Sequence, residues 1–258
     1  MLIDSHCHLE YEGLVDDQPG VLARARAAGV GAFLNISTKR SEWEQVVATA
    51  EREPDVFASI GIHPHHADEH ADLSEDDLAT AAGHPRVIGL GETGLDYYYD
   101  RSDRAVQQRL FLRHIAVSRQ LRLPVIIHTR DAEDDTLAIL SNEMAEGAFS
   151  ALIHCFTASA EFGNAVLDLG LSISISGIAT FKNATDLADF AARIPEDRLL
   201  VETDSPFLAP VPHRGKPCEP AFVADTARFL AERRGVTSAA LAQATSANFY
   251  RLFSKAVA

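Results

Sequence analysis

Cysteine is scarce in this sequence. Its 258 residues include three cysteines, Cys7, Cys155 and Cys218, which lie far apart and form no Cys-x-x-Cys pair. An odd number of isolated thiols argues against the disulfide framework of a small secreted domain and is typical of a reducing compartment. We therefore interpret the thiols as packing residues and expect a cytoplasmic protein.

Long apolar runs and biased segments are missing as well. No stretch approaches the roughly 18 apolar residues that a membrane span requires, and the first apolar run starts at Leu2, which leaves no room for a signal peptide. No linker rich in Gly, Ser or Pro divides the chain. We expect one domain over residues 1–258, with no membrane association and no obligate protein partner.

Positive charge is the third shortage. The chain has 23 Lys and Arg against 37 Asp and Glu, which gives a formal net charge of -14. Such a chain repels polyanions on average, and this argues against non-specific adhesion to nucleic acid or to anionic membranes. Any polyanionic substrate would have to be attracted locally.

Short runs rich in Val, Ile and Leu alternate with longer amphipathic stretches along the whole chain. The runs cover residues 2–6, 32–37, 56–63, 87–92, 124–128, 151–155, 171–176 and 199–203. The amphipathic stretches cover residues 18–28, 41–52, 103–121, 134–145, 160–169, 184–192, 220–234 and 238–253. Eight such alternations predict an α/β protein of the (β/α)8 TIM-barrel type, because a doubly wound sheet more often has five or six strands.

Residues of the metal-ligand type fall at the ends of five predicted strands. In "LIDSHCHLE", His6 and His8 are one residue apart and share one face of a strand. The ends of the fourth, fifth, sixth and eighth strands supply the others, which are Glu92, His128, His154, Glu202 and Asp204. Each is unremarkable alone, but the carboxyl ends of barrel strands converge on one mouth, so together they predict one site.

This set is too large for a single tetrahedral ion, which typically takes three protein ligands beside an open position. It suits two divalent ions. Our assignment places His6 and His8 on the first ion, His128 and His154 on the second, Glu92 between them and Asp204 facing the first. Imidazole ligands favour zinc, manganese or iron over magnesium; the identity of the ions stays open among zinc, manganese and magnesium.

Three carboxylates are the candidate catalytic residues. Two adjacent ions can activate water for attack at phosphorus or at an ester or amide carbonyl. We expect Asp204 to accept the proton of that water and Glu92 to bridge the ions. Glu202 lies two residues before Asp204 and would sit deeper, where it orients a ligand.

Motifs along nearly the whole chain resemble those of the TatD family of metal-dependent deoxyribonucleases. They are "LIDSHCHLE", "GIHPHHA", "GETGLDYYYD", "PVIIHTRDA", "HCFTAS", "LLVETDSPFLAPVPHRGKPCEP" and "ANFYRLF". The resemblance implies a barrel of the metallo-dependent hydrolase type with two or three divalent ions, which hydrolyses DNA phosphodiesters from the 3′ end. It also implies the same six metal ligands, His6, His8, Glu92, His128, His154 and Asp204.

The resemblance adds one residue and shows three departures. His63 of "GIHPH" is similar to a family histidine that lies beside the metals and can hold a phosphate. Glu10 stands where aspartate is more usual, Thr93 where isoleucine is usual, and Cys218 where many relatives have asparagine. None of these departures removes a ligand.

Local cations and aromatic residues could offset the acidic surface at the predicted mouth. Arg130 follows His128, and the segment after strand eight carries Arg214 and Lys216. We expect these three cations, together with His63, to bind substrate, because a focused field in a cleft matters more to a short anionic end than the global charge does. The expected partner is therefore DNA, at single-stranded 3′ ends. Four aromatic residues lie in the same loops, Tyr97, Tyr98, Tyr99 and Phe207, where they either pack or stack on bases.

Two other functions stay open. An amidohydrolase-type enzyme could use the same barrel on a lactone, an amide or an aminoacyl ester, although no lysine lies at the eight strand ends to bridge the metals and Glu92 takes that place. A metal-bound scaffold in a repair or degradation complex would need a dead site, yet all six expected ligands are present.

Overall fold

The computed structural model describes residues 1–257 and contains one parallel sheet of eight strands in sequential order. The strands are β1 (Leu2–Cys7), β2 (Val30–Ile36), β3 (Val56–Ile60), β4 (Val87–Asp96), β5 (Val125–Arg130), β6 (Ala151–Ile153), β7 (Ser172–Ile175) and β8 (Leu199–Val201). Each strand pairs in parallel with the next. The sheet curls until β8 approaches β1, so the predicted (β/α)8 barrel is confirmed.

Helices follow the strands and pack outside the sheet. They are α1 (Gln18–Ala27), α2 (Trp43–Arg52), α3 (Glu75–Ala82), α4 (Arg104–Leu121), α5 (Glu133–Glu146), α6 (Ala160–Asp168), α7 (Thr185–Arg193), α8 (Val223–Arg234) and α9 (Ser238–Leu252). Within the described residues, none of these helices combines the length and the apolar character that crossing a membrane requires.

The amino ends of the strands are closed by apolar packing. Ile88, Ile126 and Leu200, each the second residue of its strand, belong to one buried cluster with Phe249 of α9 and with Phe253, which follows α9. None of the predicted metal ligands belongs to this cluster; they lie toward the carboxyl ends of the strands. The barrel therefore has one mouth, at the end where the predicted ligands lie.

Several element boundaries differ from the sequence prediction, and the end of the fourth strand bears on the site. We expected the fourth strand to end at Glu92, but β4 continues to Asp96, because residues 94–96 pair with β5. Glu92 therefore lies inside its strand. None of the predicted amphipathic stretches covers α3, at whose start the Ser74 hydroxyl accepts a hydrogen bond from the Asp77 backbone N–H at 3.1 Å. Three acidic residues lie in the first turn of α3, where their negative charges interact favourably with the helix dipole.

A glycine contact sets the spacing of β3 and β4 near the mouth. A Cβ atom on Gly61 would lie 2.4 Å from the Cα atom of Gly91, closer than real Cβ atoms approach. Gly91 itself has φ +148°, which side-chain-bearing residues rarely adopt. Glycine at both positions lets the segment that carries His63 lie against the strand that carries Glu92.

The seam between β1 and β8 is held mainly by side chains. One isolated bridge joins Cys7 to Ser205. Below it, the Ser5 hydroxyl donates to the Val201 carbonyl at 3.0 Å. Asp4 accepts hydrogen bonds from the backbone N–H of Thr203 at 2.9 Å and from its hydroxyl at 2.6 Å. These bonds fix the end of β8 against β1, immediately before Asp204.

Candidate metal centre

The two histidines of "LIDSHCHLE" face each other at the mouth. The Nε2 atoms of His6 and His8 are 3.3 Å apart, and both residues are buried. Two imidazole nitrogens at this distance can share one proton in an N–H···N hydrogen bond, or both can bind one cation.

Glu92 lies between two pairs of histidines. Its Oε2 atom is 3.4 Å from His6 Nε2 and 3.8 Å from His8 Nε2. Its Oε1 atom is 3.1 Å from His128 Nδ1 and 2.8 Å from His154 Nε2. The two carboxylate oxygens thus point at the two histidine pairs that the sequence assigned to different ions.

Asp204 completes the first half of the centre. Its Oδ1 atom is 3.3 Å from His8 Nε2 and 3.6 Å from His6 Nε2. The residue has a left-handed backbone, φ 60°, a conformation that aspartate tolerates better than most residues. Its backbone N–H donates to the His6 carbonyl at 2.9 Å, so the turn is tied directly to β1.

His63 joins the second half of the centre. Its Nε2 atom is 3.4 Å from Glu92 Oε1, and the side chains of His63, Glu92 and His128 form a group that could hold an ion, with donor atoms within 4.8 Å of one another. The backbone N–H of His65 donates to its Nδ1 atom at 3.0 Å. The residue expected to hold a phosphate therefore lies among the candidate ligands themselves.

Two carboxylates hold the outer nitrogens of the ligand histidines. Glu202 Oε1 is 3.3 Å from His154 Nδ1, and Glu202 in turn accepts a hydrogen bond from the Ser174 hydroxyl of β7. Asp96 Oδ2 is 3.0 Å from His128 Nε2. Carboxylates in this position fix the orientation of an imidazole and raise its basicity as a ligand.

The remaining two outer nitrogens differ from each other. His8 Nδ1 is 3.3 Å from the carbonyl of Ile36, whereas His6 Nδ1 is buried and has no hydrogen-bond partner within the described residues. Its ring is instead stacked on His154, with centroids 3.9 Å apart. The Nε2 atom of His6 is the one directed at Glu92 and Asp204.

Burial and charge act in opposite directions at the carboxylates of the centre. Burial raises the pKa of Glu92, but the histidines around it, with His154 and His63 foremost, hold that pKa well below its ordinary value. Burial likewise opposes the charged form of Asp204, yet the hydrogen bond from His8 and the charge of His6 lower its pKa. Both groups therefore favour the anionic form that binds cations.

The histidines of the centre separate into two groups. Burial lowers the pKa of His6, and it lowers the pKa of His63 strongly. For His154 burial acts in the same direction, but Glu92 and Glu202 outweigh it and raise its pKa well above the ordinary value. His154 thus gains its charge from two carboxylates that would otherwise repel each other.

Asp96 organises the loop beside the centre. Besides His128, its Oδ2 atom contacts His65 Nε2 at 2.8 Å. Its Oδ1 atom accepts the backbone N–H groups of Tyr98 at 3.1 Å and Tyr99 at 3.0 Å. The role of His65 was missed, although the spacing His63-x-His65 in "GIHPHHA" repeats that of His6 and His8.

Two of the predicted substrate-binding cations, Arg130 at the end of β5 and Arg214 in the segment after Asp204, lie against aromatic rings. The guanidinium carbon of Arg130 is 4.1 Å from the centroid of the Tyr98 ring, and that of Arg214 is 3.9 Å from the centroid of Phe181. Both arginines and Lys216 are exposed. The structure brings Arg130 next to the Asp96 loop, and it places Arg214 and Lys216 on the segment that follows Asp204.

The donor set suits divalent transition-metal ions. Buried imidazoles and carboxylates converge on common points in groups such as His6, His8 and Glu92, with donor atoms within 4.8 Å of one another. Such nitrogen and oxygen sets are typical of zinc, manganese and iron sites. The residues therefore fit a metal centre.

Comparison with known proteins finds relatives named as metal-dependent hydrolases and one named as an exonuclease. Residues 3–254 match the family described as TatD related DNase. An uncharacterized metal-dependent hydrolase YcfH from Escherichia coli K12 is 47% identical over 255 residues, which cover 98% of this chain and 95% of the relative. A 3′-5′ ssDNA/RNA exonuclease TatD from Salmonella typhimurium is 33% identical over 257 residues, 98% of each chain. The crystal structure of YJJV, a TatD homolog from Escherichia coli K12, superposes with a TM-score of 0.92 at 30% identity and 98% coverage of both chains.

Proposed function

This chain belongs to the TatD-related DNase family, and on that basis we propose that it is a metal-dependent deoxyribonuclease. It would hydrolyse DNA phosphodiester bonds by a two-metal mechanism, as a 3′-5′ exonuclease on single-stranded ends. The observation that carries the proposal is the position of Glu92, whose two oxygens face separate pairs of histidines.

The residues that would hold the ions follow from that division. His6, His8 and Asp204 would take one divalent ion through the Oε2 side of Glu92. His128 and His154 would take the other through its Oε1 side, where His63 is also within reach. When bound, such a pair of ions supplies an activated water and neutralises the charge that develops on a phosphodiester during in-line displacement.

The protein's own groups would position the reactants and move the proton. Asp204, which the surrounding histidines keep anionic, would accept the proton of the attacking water at a carboxylate oxygen. Glu202 would keep His154 aligned from behind and would not itself contact the substrate, because it is fully buried. Loss of Glu202 should therefore act through ion affinity, whereas loss of Asp204 should remove both a ligand of one ion and the proton acceptor.

The mouth would bind a DNA end in spite of the net charge of -14. Arg130, Arg214 and Lys216 are exposed around the donor set and would contact the phosphates next to the cleaved bond. A short positive rim suits a single-stranded end better than a long duplex footprint, since a duplex would meet the acidic remainder of the surface.

The test is cleavage of a 5′-labelled single-stranded oligonucleotide with added Mn²⁺, Mg²⁺ or Zn²⁺. The labelled strand should shorten stepwise with at least one of these ions, and excess chelator should stop the reaction. Asp204→Asn should lose at least about a hundredfold in kcat, while Asp186→Asn, at an exposed position of α7, should keep it. The same preparations assayed on a lactone and an aminoacyl ester test the amidohydrolase alternative. Intact DNA with every ion would refute the nuclease.

A further inference from the structure

Two tyrosines beside the centre are exposed in a way that packing does not explain. Tyr98 and Tyr99 follow β4 and are 56% and 46% exposed. Their neighbour Tyr97 differs, because its hydroxyl donates to Asp135 at 2.7 Å and its ring lies 4.2 Å from the guanidinium carbon of Arg104. Tyr97 is thus a packing residue, whereas the next two rings are presented to solvent.

Arg130 lies against both rings, which stand nearly perpendicular to each other at 89°. Its guanidinium carbon lies 4.1 Å from the Tyr98 centroid and 4.9 Å from the Tyr99 centroid. Planar cationic and aromatic groups together are the surface on which unpaired nucleobases stack, and the cation also attracts the flanking phosphate. We call these three residues the tyrosine platform.

The tyrosine platform is attached to the metal centre by a single carboxylate. Oδ1 of Asp96 holds the backbone N–H groups of Tyr98 and Tyr99, while its Oδ2 atom holds His128. Arg130 is the second residue after His128 on the same strand. A base on the platform would therefore lie at a fixed position relative to the phosphate at the centre.

A second exposed ring lies on the other side of the centre. Phe207 is 49% exposed, and its backbone N–H donates to the Asp204 carbonyl at 2.9 Å. Its centroid is 6.3 Å from that of His8 and 6.0 Å from that of Tyr11. Each half of the metal centre thus has an exposed aromatic residue tied to one of its ligands, His128 on one side and Asp204 on the other.

We propose that the tyrosine platform and Phe207 stack the nucleobases on the two sides of the cleaved phosphate, and that this stacking selects single-stranded ends. The inference rests on the proposed nuclease function. Bases in a duplex hide their faces in the stack and cannot use either surface. Stacking tolerates every base, so the selection concerns strandedness and not sequence.

The test compares normal and abasic single strands. Short oligothymidylates with a tetrahydrofuran abasic residue at the terminal or the penultimate 3′ position are digested in the metal that supports cleavage. The wild-type enzyme should lose roughly 5- to 100-fold in kcat/KM at each substitution, the range expected for one lost stacking contact. Binding is followed separately through the emission of 2-aminopurine placed at the same positions.

The variants assign each base to its surface. In the double variant Tyr98→Ala, Tyr99→Ala, one abasic position should no longer lower kcat/KM. In Phe207→Ala the other abasic position should no longer lower it. Both variants should differ from wild type mainly in KM. Tyr98→Phe with Tyr99→Phe keeps the ring faces and should restore the penalty. Val236→Ala, an exposed apolar position in the turn before α9, serves as the control and should behave as wild type.

The outcomes separate this inference from the proposed function. Equal cleavage of normal and abasic strands by the wild type, or an unchanged penalty in both alanine variants, would overturn the stacking role while the nuclease stands. Absence of cleavage on every strand would instead refute the nuclease. Loss of 2-aminopurine quenching in the alanine variants, with folding intact by circular dichroism, would support the stacking role independently of turnover.

Discussion

Glu202 lies behind His154, on the side away from Glu92, and accepts the hydroxyl of Ser174. Glu202→Gln should keep the shape of this contact and remove its charge. We expect the affinity for Zn²⁺ or Mn²⁺ to fall about 10- to 100-fold, because a carboxylate behind a ligand histidine raises its basicity and fixes its ring. Titration calorimetry measures the change.

A weaker effect in the same direction is expected for Ser174→Ala, which leaves Glu202 in place without its support. Ser176→Ala is the matched control, since the Ser176 hydroxyl contacts Cys155 at 3.2 Å and not Glu202. Unchanged affinity in Glu202→Gln would mean that the carboxylate has no influence on the ligand.

His114 of α4 is a buried histidine outside the metal centre. Its Nδ1 atom lies 2.7 Å from the Leu110 carbonyl, and its Nε2 atom accepts the Ile62 backbone N–H at 3.2 Å. The ring is therefore neutral, and burial lowers its pKa to about 4, from 6.5 in the unfolded chain. Acid should detach the segment that carries His63.

The stability contributed by this group is complete above the unfolded pKa and is lost as the pH falls toward the folded one. Between pH 6.5 and about 4 the free energy of unfolding should drop by up to about 3 kcal/mol on its account. Urea unfolding in chelator at several pH values measures the slope, and His114→Gln should flatten it. An identical slope in the variant would exclude this histidine as the cause.

At the scale of the elements, hydrogen bonds from side chains of β1 join β1 to the end of β8. Asp4→Ala would leave the N–H and the hydroxyl of Thr203 buried without an acceptor. We expect the free energy of unfolding to fall by about 2–4 kcal/mol, the cost of two such donors. Metal affinity should fall as well, because Asp204 follows Thr203.

Ser5→Ala is the control for this seam. It removes the neighbouring bond to Val201 and should cost about 1 kcal/mol without affecting metal affinity. Chemical denaturation and calorimetry on both variants test the pair. If Asp4→Ala binds metal as tightly as Ser5→Ala does, the seam stabilises the barrel without positioning Asp204.

Most elements could be predicted from the sequence, because buried parallel strands are continuous apolar runs between amphipathic helices. The end of β4 could not. After Glu92 the strand continues through Gly94 and Asp96, residue types that are depleted in strands, and only pairing with β5 holds them extended. The local sequence pattern does not reveal that a segment is held extended by a neighbouring strand.

The candidate site could be predicted from the sequence to a similar extent as the strands and helices. Convergence of strand ends predicts the meeting of five residues that lie near or just after the carboxyl end of a strand, and the structure brings them together around Glu92. They are His6, His8, His128, His154 and Asp204. The partnership of Asp96 with His65 joins residues 31 positions apart across two loops. No periodicity encodes that contact, and it emerges only when the barrel closes.

For the whole molecule, the resemblance carried by motifs from residue 2 to residue 253 is confirmed by a family match over residues 3–254. Carboxylates are crowded at the mouth of a chain whose net charge is -14. Glu92 and Glu202 are buried there, and Asp204 lies beside them. Without cations, only protonated histidines offset this repulsion.

Added metal should therefore stabilise the folded state. At a free concentration about 100 times Kd, the gain is about 2.7 kcal/mol, which corresponds to a Tm increase of roughly 5–10 °C for a domain of this size. Differential scanning calorimetry with Zn²⁺ or Mn²⁺ against chelator measures it. Glu92→Gln should show a much smaller shift, since both halves share that carboxylate, and an equal Tm with ion and with chelator would contradict a structural metal centre.

The contact between Gly61 and Gly91 bears on how such a protein can change over generations. A methyl group on Gly61 would press against Gly91 of β4, and one on Gly91 would press against Ile126 of β5. A side chain at either position would therefore force neighbouring strands apart. Exposed rings such as Tyr98 and Phe207 meet no such barrier. The framework around the candidate site should therefore change slowly in evolution, whereas the exposed rings that would select the substrate can be exchanged more freely.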